Sequence, residues 1–558
     1  VLNDEQKYAA FEMHSNSIIS ASPGSGKTKT LVARAEQKLD SLPSMTSLAL
    51  ITYTNAAADE IASRLVTHKT IFIGTIHKFC LEYILRPFSW IYGWEKPRIV
   101  TYDELVDFTE NNETLNLTID DLSLLRKTTS GNIDVSVDWN NPNDITIVGN
   151  IYYMYLQSIK ALDFNEVLYR SFKLINENSF VAVSLSNKFY EILIDEFQDT
   201  SNFQYSIFKI INDAGPITFF MVGDERQSIY RFAGALNHPF ENAKEDFLSE
   251  EQLLTKTYRS TNIIVDTYCA LFDDHPTIEN LSDNRDLNIP VIIQETNNQN
   301  HSNILEYLIN QLHNDKNISL NEIAILSARW FDSFNSSCVL RRNYNVVGLG
   351  ALPHHSRNLN NSTYNLLRTI VRFIYYQSIG RLRAIKRGID LHSLENNLSL
   401  DDKTISLIQN QILNKFSMLN LSNSLNEGLL KVTEIFNDAF KIDHILFKEI
   451  IERISDEELP LWSLEKYFKT LSGVDGITIN TIHQAKGLEY DAVILDQMNV
   501  GKIPYQFWDR TNRVYLPLTE ESIGDGRKLF YVALSRAKKY LIVLHNWNPS
   551  MFIEQIRN

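Results

Sequence analysis

Short apolar runs, suited to strands, alternate with stretches whose apolar residues recur at helical spacing. The run Ser17-Ile18-Ile19-Ser20, after Asn16, is apolar at its centre, and Leu31-Val32-Ala33-Arg34-Ala35 suits a following helix. SLALIT at 47–52 predicts the next strand. Asn55 then stands as N-cap, with Asp59 and Glu60 in the first turn and Ile61 and Leu65 on one face. Strand-like runs recur at residues 191–194, 217–222, 477–481, 492–495 and 540–544. Strands alternating with helices predict parallel sheets covered on both faces. The runs fall into two groups divided near residue 250, which predicts two α/β cores. Residues 86–160 and 376–470 read as mostly helical, polar insertions, and Asn-rich stretches at 110–118, 138–144, 296–303 and 358–362 read as loops.

Composition narrows the class. The chain has 558 residues, 44% of them hydrophobic, enough for several domains of a globular protein. No apolar run is long enough to span a bilayer, and Val1-Leu2-Asn3-Asp4-Glu5-Gln6 is not a signal peptide. Cys80, Cys269 and Cys338 are too far apart in sequence for a CxxC metal site, an iron–sulfur site or a disulfide framework. A reducing, cytoplasmic location is therefore expected. The net charge of −15 argues against a nucleic-acid partner only weakly, because the local field of a groove decides binding.

SASPGSGKTKT, residues 20–30, changes the picture. Between a strand and a helix, Gly24 and Gly26 let backbone N–H groups turn inward around an anion at the positive end of the helix. Lys27 would reach the β- and γ-phosphates and Thr28 would hold Mg²⁺. Ala21, Ser22, Pro23, Ser25 and Lys29 complete the loop, with Ala21 in place of the usual first Gly. A second anchor, EILIDEFQDTSNFQ at 191–204, ends a strand on paired carboxylates. Asp195 can share the metal with Thr28, and Glu196 can orient or deprotonate the attacking water. That pairing favours NTP hydrolysis over transfer to an acceptor. In MVGDERQSIYRFAGA, residues 221–235, the amide of Gln227 can sense a γ-phosphate. Tyr230 and Phe232 follow it, either as a stacking platform or as core aromatics.

With TKTYRSTNIIV (255–265), GITINTIHQAKGLEYDAVIL (476–495) and GRKLFYVALSRAKKYLIVL (526–544), six stretches occur in an order that resembles superfamily 1A helicases of the UvrD/Rep/PcrA type. LNDEQKYAA at 2–10 is similar to that family's Q motif, TYTNAAADEIASRL to its motif Ia and IFIGTIHKFC to its motif Ib. ALDFNEVLY is similar to its DFDDLL stretch. The resemblance spans nearly the whole chain. It implies two RecA-like parallel-sheet cores with mostly helical insertions: core 1A at 1–85 and 161–250, insertion 1B at 86–160, core 2A at 251–375 and 472–558, and a reduced 2B at 376–471.

The resemblance also implies roles at matched positions. Gln6 would read the adenine edge, Tyr258 stack on its ring, and Glu489 contact the ribose. Arg259 and Arg536 would reach across from the second core as arginine fingers. Tyr53, Thr75, His77, Tyr230, Phe232, Thr481 and His483 would line a single-strand groove, although Thr75 and Thr481 also suit plain strand positions. The implied cofactors are ATP and Mg²⁺, the implied partners single-stranded DNA and single-strand/duplex junctions, and the implied polarity 3′→5′.

Departures from the family pattern matter too. Ala233 stands where the family usually has Arg, and Lys29 likewise. Only about ninety-five residues remain for 2B, without the family's GIG-type signature. A short 2B resembles that of the helicase subunit of Gabija-type anti-phage systems, which pairs with a nuclease. A DNA-sensing ATPase subunit regulating such a partner is therefore the alternative expectation. Arg381, Arg383, Lys386 and Arg387 form a basic cluster in this acidic chain. It is either a solvated helix face or a phosphate contact with duplex ahead of the motor.

Overall fold

The computed structural model describes residues 2–65, 70–93, 97–135, 141, 143–231, 234–352, 362–396, 398, 400–441, 461–506, 508–509 and 514–557. Phe232 and Ala233 lie outside them, as does residue range 442–460 of the expected 2B.

Two six-stranded parallel sheets organise the chain. The first contains β1 (Ser17–Ala21), β2 (Ser47–Thr52), β3 (Ile71–Thr75), β4 (Phe189–Ile194), β5 (Thr218–Gly223) and β6 (Glu250–Leu254), in the spatial order β6-β1-β5-β4-β2-β3. The second contains β7 (Ile292–Glu295), β8 (Ile323–Ser327), β9 (Val346–Val347), β10 (Ile477–Thr481), β11 (Tyr490–Asp496) and β12 (Ala537–His545), ordered β7-β12-β11-β8-β10-β9. Each expected strand is present. β6 carries the first sheet to Leu254, past the expected division at 250.

Both faces of the central strands of each sheet are buried, which is why those strands read as apolar runs rather than as alternations, whereas the edge strands β6 and β7 are largely exposed. Along β4 and β5, Ile192, Ile194, Phe219 and Met221 enter one apolar cluster, while Leu193, Phe220 and Val222 enter another on the opposite face. β11 and β12 divide in the same way, with Val493, Leu495, Leu541 and Val543 on one side and Ala492, Ile494, Ile542 and Leu544 on the other. Successive side chains of a strand point to opposite faces, so each strand ties two layers together.

The helices α1 (Lys27–Asp40) and α2 (Asn55–Arg64) cover the first sheet. Thr54, not Asn55, caps α2: its side chain accepts from the Ala57 N–H, and Asn55 is the first helical residue. Asp59 and Glu60 consequently lie past the first turn, while Ile61 and Leu65 are buried as expected. Arg34 of α1 and Glu191 of β4 are fully buried and joined at 2.6 and 3.0 Å. Arg34 also donates to the Ala10 and Met13 carbonyls, which pins the N-terminal segment.

The two insertions have small cores of their own. In the first, α3 (Ile145–Ser158) buries Val148, Tyr152 and Leu156 at helical spacing. This insertion also contains an antiparallel pair, Leu125–Lys127 with Ile133–Val135, beyond its expected helices. In the second, α4 (Ser362–Tyr376) packs on α5 (Ile379–Glu395), and α5 in turn packs on α2 of the first core.

The basic cluster sits on α5, and most of its charge is used within the chain. Arg387 pairs with Asp59 at 2.8 Å and donates to the Ala58 carbonyl. Arg383 donates to the Ala62 carbonyl, and Lys386 pairs with Asp402. Lys78–Asp390, at 2.6 Å, reinforces the same junction. Neither a purely solvated face nor a duplex contact was expected to involve the chain itself, yet three of the four cations, Arg383, Lys386 and Arg387, make contacts within it. Among the described residues no helix is long and apolar enough to cross a membrane.

Candidate functional site

The phosphate loop leaves the C-terminal end of β1, where parallel sheets place ligands. Ala21 closes the strand. Ser22 donates its N–H to the Leu254 carbonyl, and Ser25 donates to the Ser22 carbonyl. Gly24 and Gly26 adopt φ of 74° and 82°, the left-handed region that favours glycine. Space demands glycine as well. A Cβ on Gly24 would come within 2.7 Å of both Arg259 and Thr257, and one on Gly26 within 2.6 Å of the Gln6 amide. Lys27 opens α1, and its Nζ lies 3.5 Å from the Ala21 carbonyl. Thr28 follows it, half-buried, and Lys29 is exposed. Among the described residues the buried hydroxyl of Ser25 has no hydrogen-bond partner. This orphaned group, the glycine cradle and the N-terminus of a fourteen-residue helix fit a nucleotide polyphosphate.

Elements of the second core close over this loop. Thr257 Oγ1 donates to the Pro23 carbonyl at 2.8 Å, and the Tyr258 N–H donates to the Gly24 carbonyl at 3.0 Å. Asn3 donates to the Tyr258 hydroxyl, while Gln6 donates to the Ser25 carbonyl. Gln6 and Tyr258 are thus brought to the loop, and Tyr258 is 42% exposed, which leaves its ring accessible. Arg259 is bound to Glu489 at 2.6 Å and donates to the Ser535 carbonyl. In this arrangement the Glu489 carboxylate holds an arginine.

β4 ends at Ile194, and Asp195 follows it, its N–H donating to the Ile51 carbonyl. Glu196 has φ of 52°, a conformation that a non-glycine residue keeps only when its surroundings enforce it. Here the Glu196 N–H bonds Asp195 Oδ1, and Gln198 donates to Glu196 Oε2. Burial and the adjacent Glu196 push the Asp195 carboxyl up, against the pull of Lys27. Burial works the same way on Glu196, but Lys486, Lys27 and the Gln198 hydrogen bond outweigh it and hold that carboxyl below its usual range. The two neighbours are pushed apart, Asp195 up and Glu196 down. Thr28 and Asp195 offer the few oxygen ligands Mg²⁺ takes from protein when phosphates and water supply the rest. No group of three or more His, Cys, Asp or Glu that could hold a metal occurs among the described residues.

Gln227 is buried and bridges the two cores. Its Nε2 donates to Asp224 at 2.7 Å, and its Oε1 accepts from Arg536 at 3.1 Å. Arg536, 1% exposed, also donates to the Val532 and Leu488 carbonyls. Burial, then the like charge of Arg259, pull Arg536 down to about 9.

Three residues past Gln227, Tyr230 stacks on Tyr53 with ring centroids 4.6 Å apart and planes at 21°. The Tyr230 hydroxyl donates to the His483 carbonyl of the second core at 3.1 Å. A cavity of about 420 Å³ opens beside this pair, lined by Tyr53, His77, Arg126, Phe164, Asp195, Glu196 and Tyr230 among others. His77 meets the Phe164 ring edge-on, and burial holds its imidazole near 4 and therefore neutral. Thr75 and Thr481 serve locally: each hydroxyl accepts a backbone N–H at the turn that follows its strand. Tyr53, His77, Tyr230 and His483 come together, while Phe232 lies outside the described residues. Sequence reading missed Lys486 and Arg126. The KGLE of HQAKGLEY marks Lys486 as one residue before a turn glycine, but nothing local says which core its side chain enters.

The comparisons agree with this geometry. Residues 2–248 match the model of the UvrD/REP helicase N-terminal domain, and residues 429–547 that of the UvrD-like helicase C-terminal domain. The chain is 25% identical to a probable DNA helicase II homolog of Mycoplasma genitalium, across 100% of this chain and 87% of the relative. It is 24% identical to the ATP-dependent DNA helicase Rep of Buchnera aphidicola, covering 97% of this chain and 92% of that protein. It is 23% identical to the ATP-dependent DNA helicase PcrA of Staphylococcus aureus, covering 99% and 84%. Two matched domain models, and relatives aligned along nearly their whole lengths, show that the chain belongs to the UvrD/Rep/PcrA-type helicases of superfamily 1.

Proposed function

We propose that this chain is an ATP-driven motor that moves 3′→5′ along single-stranded DNA and separates duplex ahead of it. One observation carries the reading. A single turn of core 1 holds two contacts to core 2: Gln227 with Arg536, and Tyr230 with His483. Opening or closing the nucleotide cleft therefore has to move the aromatic platform as well.

The residues divide the work. Gln6 and Tyr258 hold the base, and residues 21–29 cradle the phosphates. Glu489 turns to the ribose when Arg259 leaves it for the γ-phosphate. Thr28 and Asp195 would hold Mg²⁺, which supplies charge neutralisation to the phosphates. Glu196 orients the water, Gln227 senses the γ-phosphate, and Arg259 and Arg536 stabilise charge on the transferring group. Tyr53, His77, Tyr230 and His483 line the strand groove, Phe232 would join them, and Thr75 and Thr481 would hold the turns that border it. Aromatic faces grip bases without sequence preference, at roughly 1–3 kcal/mol per base. The polarity follows from the family resemblance.

Strand displacement on 3′- and 5′-tailed duplexes, with ATP turnover measured with and without oligo-dT, tests the reading. Unwinding of the 3′-tailed substrate alone, with turnover raised by oligo-dT, is expected. Turnover indifferent to single strands would overturn it. The reading as a regulatory ATPase subunit for a nuclease rests on the short 376–471 insertion. It would be favoured by a chain that hydrolyses ATP on oligo-dT yet unwinds neither duplex.

A further inference from the structure

Lys486 leaves the second core in the turn after β10 and buries its side chain in the first, where it is 7% exposed. Its ammonium pairs with Asp199 Oδ2, donates to the Gln227 carbonyl at 2.8 Å and lies 3.9 Å from Glu196 Oε2. It also sits over the Tyr230 ring, 5.2 Å from the centroid. One cation therefore touches the water-orienting carboxylate, the backbone of the phosphate sensor and the aromatic of the strand groove.

Physical chemistry makes this a coupling rather than a coincidence of neighbours. A buried ammonium that loses its partners costs several kcal/mol, so Lys486 and its carboxylates must move together or not at all. A stacked ring at 4.6 Å fills one face of Tyr230, so Tyr53 has one face and the ammonium the other. A base that stacks on Tyr230 must displace one of the two. If it takes the ammonium's face, the charge shifts along Asp199 and Glu196; if it parts the tyrosines, the ring carries the ammonium with it. Resting on the motor reading above, we propose that Lys486 is the positioning residue through which a base on Tyr230 sets where Glu196 and the Gln227 backbone stand over the nucleotide.

Lys486→Met removes the charge and keeps the length, and Lys486→Arg keeps the charge and alters its geometry. In the full chain, ATP turnover is measured without DNA and with saturating oligo-dT, together with the KM for ATP and oligo-dT affinity. Thermal melting checks the fold. The ratio of DNA-stimulated to DNA-free turnover is expected to fall about tenfold or more in Lys486→Met. The fall should lie in kcat rather than KM, and Lys486→Arg should recover part of the ratio. Asp199→Asn, which removes the ammonium's closest carboxylate, should lower the same ratio and keeps the test open if Lys486→Met does not fold. Equal losses with and without DNA would reduce Lys486 to a structural charge and overturn the proposal, as would an unchanged ratio. If wild-type turnover ignores oligo-dT, the motor reading fails first, and this proposal with it.

Discussion

Replacing Arg536 with alanine tests the site at its narrowest point. The guanidinium donates to four acceptors: the Val532 carbonyl at 2.9 Å, the Leu488 carbonyl at 3.2 Å, Ser535 Oγ at 2.9 Å and Gln227 Oε1 at 3.1 Å. The substitution strands some of these. Val532 keeps the Ser535 hydroxyl as a donor, but the Leu488 carbonyl and the Gln227 amide oxygen lose theirs. Each such loss costs about 1–3 kcal/mol, so a stability loss of about 2–6 kcal/mol is expected. That loss is read by chemical denaturation. The catalytic loss is larger and separate: an arginine finger is worth about 10³–10⁵ in rate. At roughly 1.36 kcal/mol per tenfold, this is about 4–7 kcal/mol of transition-state stabilisation. The assay is steady-state ATP turnover at saturating oligo-dT and at a temperature where melting shows the variant folded. Titration with a fluorescent ATP analogue follows binding. Turnover should collapse while nucleotide affinity changes far less, because the charge that Arg536 meets develops mainly in the transition state. A folded variant losing less than about tenfold in turnover refutes the assignment. Equal losses in affinity and turnover would make Arg536 a ground-state binder.

Three further outcomes are expected. Tyr230→Ala should weaken oligonucleotide binding by roughly 1–3 kcal/mol with little base preference, read by fluorescence anisotropy, and unchanged affinity would return Tyr230 to the core. Arg34→Met leaves the Glu191 carboxylate buried and unpaired and should cost about 3–5 kcal/mol in denaturant unfolding. Adding Glu191→Leu should recover part of that loss, and a single-variant loss below about 1 kcal/mol contradicts the reasoning. Burial and the nearby Glu166 raise the Asp163 carboxyl to about 7 in the folded chain, from an ordinary value near 3.8. The folded state then binds the extra proton between these values, so this group's contribution to stability is present at low pH and is lost as pH rises towards 7. Asp163→Asn keeps an N-cap for the helix at Phe164–Glu177 and should raise the melting temperature more at pH 8 than at pH 5. A gain equal at both pH values would mean that the carboxyl is not held neutral.

What the sequence determined by itself was whatever a contiguous stretch can encode. The strands at 47–52, 477–481 and 492–495 were legible because burial on both faces makes each a continuous apolar run. The phosphate loop was legible because Gly24 and Gly26, with one residue between them, supply the two positive φ angles its turn needs. Asp195 and Glu196 were legible because they directly follow an apolar strand. Tertiary structure alone decided what those pieces meet. Arg536 bonds Gln227 across 309 residues, Lys486 reaches the Gln227 carbonyl across 259, and Tyr230 bonds His483 across 253. The basic run on α5 shows the same limit from the other side. Its charge density could be read, but the pairing of Arg387 with Asp59, and the loss of those charges to a helix junction, could not. The physical reason is range. Backbone turns and strand burial answer to neighbours a few residues away, whereas the partner of a long charged side chain is whichever group the packing of two cores brings within about 3 Å of it.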